Sequence, residues 1–79
     1  MKITLSYYAL LREQAGQNRE QRDVSSQTVR ELYSELQKVY DFTPSTEHLR
    51  AAVNNDFVEF DHTLEEGDHV VFIPPVAGG

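Results

Sequence analysis

The residues best suited to do chemistry stand together in Pro74-Pro75-Val76-Ala77-Gly78-Gly79, which ends in the main-chain carboxylate of Gly79. An α-carboxyl ionises near pH ~3.3–3.7, so it is an anion at neutral pH. An anion is a poor acyl electrophile. It must first attack the α-phosphorus of ATP, forming an acyl adenylate, before a sulfur or nitrogen nucleophile can displace AMP. The residues around it fit that use. Two prolines hold the start of the segment extended, with φ fixed near about −65°. Two glycines keep its end slim, because a side chain there would widen it. Six extended residues span at most about 20–22 Å, enough to thread a narrow channel while the domain stays outside. No P-loop or other phosphate-cradling glycine-rich segment is present, so the expected ATP site belongs to a separate activating enzyme.

Other chemistries find little support. His48, His62 and His69 fall on separate elements without metal-ligand spacing, so no metal site is expected. The absence of cysteine excludes disulfides, zinc-thiolate sites and a thiol nucleophile. Ser25, Ser26, Ser45 and the tyrosines lie in no nucleophile motif. Glu65, Glu66 and Asp68 read as a solvated turn. Seven basic against thirteen acidic residues give a net charge of −6, a poor surface for nucleic acid. That charge would draw in a basic protein partner, though it also simply keeps a small domain in solution. No apolar run reaches the ~18 residues of a membrane span and no signal peptide is visible, so a cytoplasmic location is expected.

The elements that must position the carboxylate follow from hydrophobic spacing. Lys2 to Tyr8 alternates, with Ile3, Leu5 and Tyr7 on one face of a strand. Ala9 to Ala15 is a short helix stopped at Gly16. A second strand is expected within Gln17 to Ser26, pairing with the first. Thr28-Val29-Arg30-Glu31 is a capping box. It opens a helix over Val29 to Tyr40 whose apolar face is Val29, Leu32, Tyr33, Leu36 and Tyr40. Asp41 to Arg50 reads as a loop with room for one helical turn. Ala51 to Asn54 is a short strand, Asn55-Asp56 a turn and Phe57 to Phe60 another short strand. After a turn at Leu64 to Asp68, His69 to Ile73 is the final strand.

With one main helix to cover one sheet, the order predicts an α+β roll of the β-grasp, or ubiquitin-like, type. Residues 1–73 form the domain and residues 74–79 an extended tail. The apolar final strand should lie centrally, parallel to the first, because the helix supplies the crossover. Val70 and Phe72 should point inward, leaving Val71 and Ile73 on the opposite face as an apolar docking patch beside the tail.

Four patches of this sequence closely resemble the small subunits of molybdopterin synthase, a family of ubiquitin-like sulfur carriers. They are Ala9 with Leu11-Arg12-Glu13 and Gly16; Thr28 to Leu32; Ala52-Val53-Asn54 with Leu64 and Gly67-Asp68; and Phe72, Pro74-Pro75-Val76 and Gly78-Gly79. The last is the most specific, because related thiazole-forming carriers share Gly-Gly but typically lack the preceding Pro-Pro. Ala77 departs from the Ser or Thr frequent in the family. The resemblance implies that Gly79 is adenylated by a ubiquitin-activating-like enzyme and converted to a thiocarboxylate. It implies further that the carrier itself is non-catalytic and binds no cofactor, ATP being used by the activating enzyme. The tail would enter the large synthase subunit and deliver sulfur to cyclic pyranopterin monophosphate, in a heterotetramer of two small and two large subunits. Ile73, Pro74, Pro75, Val76, Ala77 and Gly78 would make the partner contact. A carrier serving thiazole or amino-acid biosynthesis, a covalent protein modifier and a non-covalent interaction module are the alternatives.

Overall fold

A computed structural model describes residues 1–74, from Met1 to Pro74. Strand β1 (Lys2–Tyr7) leads into helix α1 (Ala9–Ala15), β2 (Arg19–Asp23) and the main helix α2 (Val29–Tyr40). A short 3-10 turn at Thr46–His48 precedes β3 (Arg50–Val53), β4 (Asp56–Val58) and β5 (His69–Ile73). The strands form one mixed sheet in the order β2-β1-β5-β3-β4. The last strand is therefore central, parallel to β1 and antiparallel to β3. This is the β-grasp arrangement that the sequence pattern predicts.

Local chemistry accounts for the boundaries. The Thr28 side chain accepts from the Glu31 N–H, while the Glu31 carboxylate accepts from the N–H groups of Gln27 and Thr28. The capping box thus satisfies donors that a helix start leaves orphaned. The next two N–H groups, of Val29 and Arg30, donate to the carbonyls of His62 and Phe60, which fastens the helix to the loop after β4. Gly16 stops α1 at φ 75°, a left-handed conformation with no steric cost for glycine.

The hairpin of β3 and β4 differs from the expected boundaries by a residue or two. Val53 pairs with Asp56, so the turn is Asn54-Asn55 rather than Asn55-Asp56, and the strand ends at Val58 rather than Phe60. Both asparagines hold positive φ, 51° and 74°, as a tight two-residue hairpin requires. Phe60 leaves the ladder to pack against the core and to accept from α2.

Helix α2 covers one face of the sheet. Its Val29, Leu32, Tyr33 and Leu36 meet Ile3, Leu5, Tyr7, Val70, Phe72, Ala51 and Val53, all buried. The loop beyond α2 adds Phe42 and Leu49 to the same core. Phe42 packs between rings, 5.8 Å from Tyr33 and 5.4 Å from Tyr40. The Tyr33 hydroxyl donates to the Pro44 carbonyl at 2.7 Å, tying that loop down.

A polar network closes the β2 edge. Glu20 and Arg22 stand opposite Leu5 and Ile3, hence on the helix side. The Glu20 carboxylate accepts from the hydroxyls of Tyr7 and Tyr40, and Arg22 lies 3.5 Å from Glu20 and 3.7 Å from Glu35. Burial, and then the bond to Glu20, push the Tyr7 and Tyr40 phenols above their ordinary range. Burial pushes the Tyr33 phenol up to about 12. An unfolded phenol ionises near ~10, so these groups stabilise the fold fully below that pH. For Tyr33 the contribution falls away as pH rises from about 10 through about 12. Phenolate absorbance should therefore rise together with loss of the helical circular dichroism signal in that interval. Ionisation of all the tyrosines with the helical signal intact would contradict the buried network.

Candidate functional site at the end of the last strand

Every second residue of the sheet points away from α2. The ladder register places Ser6, Val71, Ala52 and Phe57 in one row across this open face. A second row sets Ile73 opposite Arg50. The alternation of β1 continues through Lys2, Thr4 and Ser6 to Tyr8, which remains extended at φ −131° and follows the Tyr7–Phe72 pair. Tyr8, Val71, Ile73, Ala52 and Phe57 thus form an apolar patch on the side no helix covers. Val71 and Ile73 are half-buried, whereas Phe57 is 64% exposed and Tyr8 54%. Contiguous exposed apolar surface of this kind marks interaction sites.

Ile73 ends β5, and the chain passes from it to Pro74, which is buried. Pro75, Val76, Ala77, Gly78 and Gly79 lie outside the described residues. The patch and the start of the terminal segment are therefore adjacent by construction. A central strand is held on both sides by ladder hydrogen bonds, so its end is a firm anchor for whatever follows.

The sequence pattern places Val71 and Ile73 on this face but not Tyr8, Ala52, Arg50 or Phe57. For Tyr8 the signal is present in the unbroken alternation of β1. For the others it appears only once β3 is known to flank β5. The guanidinium of Arg50 lies over the Phe57 ring, 4.5 Å from its centroid, a cation–π contact across the β3–β4 hairpin.

The histidines do not converge. His69 shares a 2.7 Å hydrogen bond with the buried Ser6 on the open face, and His48 sits 3.4 Å from Ser45 in the 3-10 turn. Among the described residues no group of three or more His, Cys, Asp or Glu could hold a metal ion, and no helix is long and apolar enough to cross a membrane. Asp68 is spent structurally, accepting from the Asn54 side chain at 3.0 Å and the Glu65 N–H at 2.8 Å. Tyr7, Tyr33 and Tyr40 serve the core and its rim.

Comparison with known proteins agrees with this geometry. The chain matches the ThiS family over residues 5–79. It is 33% identical to the molybdopterin synthase sulfur carrier subunit of Mycobacterium tuberculosis over 82 aligned positions, covering 100% of this chain and 99% of that protein. A shorter stretch of 31 residues is 61% identical to the molybdopterin synthase sulfur carrier subunit of Escherichia coli K12, spanning 39% of this chain and 38% of that one. Among solved structures, SAMP1 of Haloferax volcanii superposes with a TM-score of 0.81 over the full length of both chains, at 22% identity, a likeness of fold. The match across nearly the whole chain, the full-length relative and the shared β-grasp architecture make this chain a member of the ThiS family, with sulfur carriers of the molybdopterin-synthase type as its kin.

Proposed function

We propose that this chain is a sulfur carrier whose working group is the carboxylate of Gly79, acting as the small subunit of a molybdopterin synthase. The carboxylate oxygen attacks the α-phosphorus of ATP in the site of a separate adenylating enzyme, and pyrophosphate leaves. A sulfur nucleophile then displaces AMP from the acyl adenylate and leaves a thiocarboxylate on Gly79. The segment Pro74 to Gly78 carries that group into the large synthase subunit, which holds the catalytic side chains. There it gives its sulfur to cyclic pyranopterin monophosphate. Two loaded carriers per product supply the two dithiolene sulfurs, in keeping with two small and two large subunits.

The observation that carries this reading is the position of β5: the best-held strand of the sheet ends at Ile73, immediately before the Pro-Pro and Gly-Gly residues and beside the open apolar face. Docking energy gathered on Tyr8, Val71, Ile73 and Phe57 would orient the reactive end at a distance, so that the end itself needs no side chains. Deleting the gene in its native cell should abolish molybdoenzyme activity, with growth on thiamine-free medium unaffected. Thiamine auxotrophy with normal molybdoenzymes would reassign the carrier to thiazole synthesis. Ladders of covalent adducts on denaturing gels would reassign it to protein modification.

A further inference from the structure

We infer that Arg50 is the specificity-determining cation of the docking face and that it reads a carboxylate on the partner protein. The inference rests on the docking role proposed above and adds the chemistry of what docks. The chain is strongly acidic, with a net charge of −6. Its open sheet face is not. Lys2, Arg19, His69 and Arg50 share that face with two carboxylates: Asp23, which stands opposite Lys2 at the end far from Ile73, and Glu59, which the alternation from Phe57 carries to the Arg50 end. The cations left near the chain exit are Arg19, opposite Ser6, and Arg50, opposite Ile73 itself.

Arg50 is held ready rather than neutralised. Its guanidinium rests on the Phe57 ring, which fixes the plane of its five donors without engaging them. Among the described residues, ion pairs within 4.0 Å involve Arg22 alone, although thirteen acidic residues are available in the chain. Glu59 lines the same open groove of about 260 Å³, together with Leu49, Phe57, Val58 and Phe60, yet lies beyond ion-pair distance of Arg50. The groove has room for a carboxylate side chain entering from outside. An aromatic ring with a stacked arginine at the β4 margin of an apolar patch brings together residue types enriched in binding hot spots. The complementary surface is an aliphatic centre carrying a carboxylate at its edge. This reverses the expectation, drawn from net charge, that a basic surface is the natural partner: the overall charge repels an acidic protein while the docking face selects one local carboxylate.

The test uses the full chain and the purified large synthase subunit, with affinity measured by calorimetry at low and high salt. Arg50→Gln should weaken binding about tenfold at low salt and Arg50→Glu more, while Arg50→Lys, which keeps the charge but loses the stacked planar fork, should fall between the wild type and Arg50→Gln. All three variants should match the wild type in unfolding temperature to within about 2 °C, because the side chain is at the surface. Wild-type binding that tightens with salt, or an Arg50→Glu chain that binds as well as the wild type, would overturn the inference and leave the carrier reading standing. Failure of the wild-type chain to bind the large subunit at all would overturn both.

Discussion

Gly78→Val should lower sulfur delivery at least about a hundredfold while shifting the stability of the domain by less than about 0.5 kcal/mol. The two effects separate because β5 ends at Ile73, five residues before Gly78 in the sequence, and the core is built from residues that precede it. A valine there adds a branched isopropyl group and stiffens the backbone next to the reacting carboxylate. A narrow channel would exclude the branched chain, or hold the carboxylate displaced from the attacking group. Misplacement by about 1 Å is sufficient for a loss of that size. Steady-state sulfur transfer with reconstituted partners, beside a thermal melt of each protein, reads both quantities. Full activity in the variant would show that the channel is wide, and the slimness of the segment would need another explanation.

Leu36→Ala should destabilise the fold by about 2–5 kcal/mol, a large share of the roughly 5–15 kcal/mol typical of a native domain. Leu36 is fully buried on the inner face of α2, inside the single core that the sheet and helix share. The cost combines lost transfer energy with the cavity that close-packed neighbours cannot collapse to fill. Urea unfolding followed at 222 nm would measure it. Because α2 supplies the largest share of the cover over the sheet, the same substitution would raise the population of chains whose β5 is not held, and so reduce docking at partially denaturing temperatures. A shift under about 0.5 kcal/mol would mean that the side chain is not in the core.

The parts of the molecule dictated by local chemistry are legible in the sequence. The Thr28–Glu31 capping box, the spacing of Val29, Leu32, Tyr33 and Leu36, and the Gly16 stop each predict their element to the residue. The central, parallel placement of β5 is legible too, because five apolar or near-apolar residues in a row need cover on both edges and a crossover helix is available. The features that depend on distant partners are not. Phe42 and Leu49 are isolated apolar residues in a polar loop, and only the closed fold shows them completing the core. Glu20 and Arg22 look like solvated strand residues, yet they face the helix and meet Tyr7, Tyr40 and Glu35. The pairing of Arg50 with Phe57 depends on the Asn54-Asn55 turn, which sets Phe57 opposite Ala52 and diagonal to Arg50, whereas the expected turn would set it opposite Asn54, two residues further from Arg50. The candidate site is accordingly half legible: its terminal residues announce themselves, while the surface that presents them emerges from strand order.

The measurement that bears most directly on the central claim is the intact mass of the chain after incubation with an adenylating enzyme, ATP and a sulfur source. One oxygen should be replaced by one sulfur, fragmentation should place the change at Gly79, and a chain lacking Gly79 should show no such change. A wild-type mass that stays unchanged while the same enzyme loads a known carrier, or a sulfur atom found on any other residue, would contradict that claim.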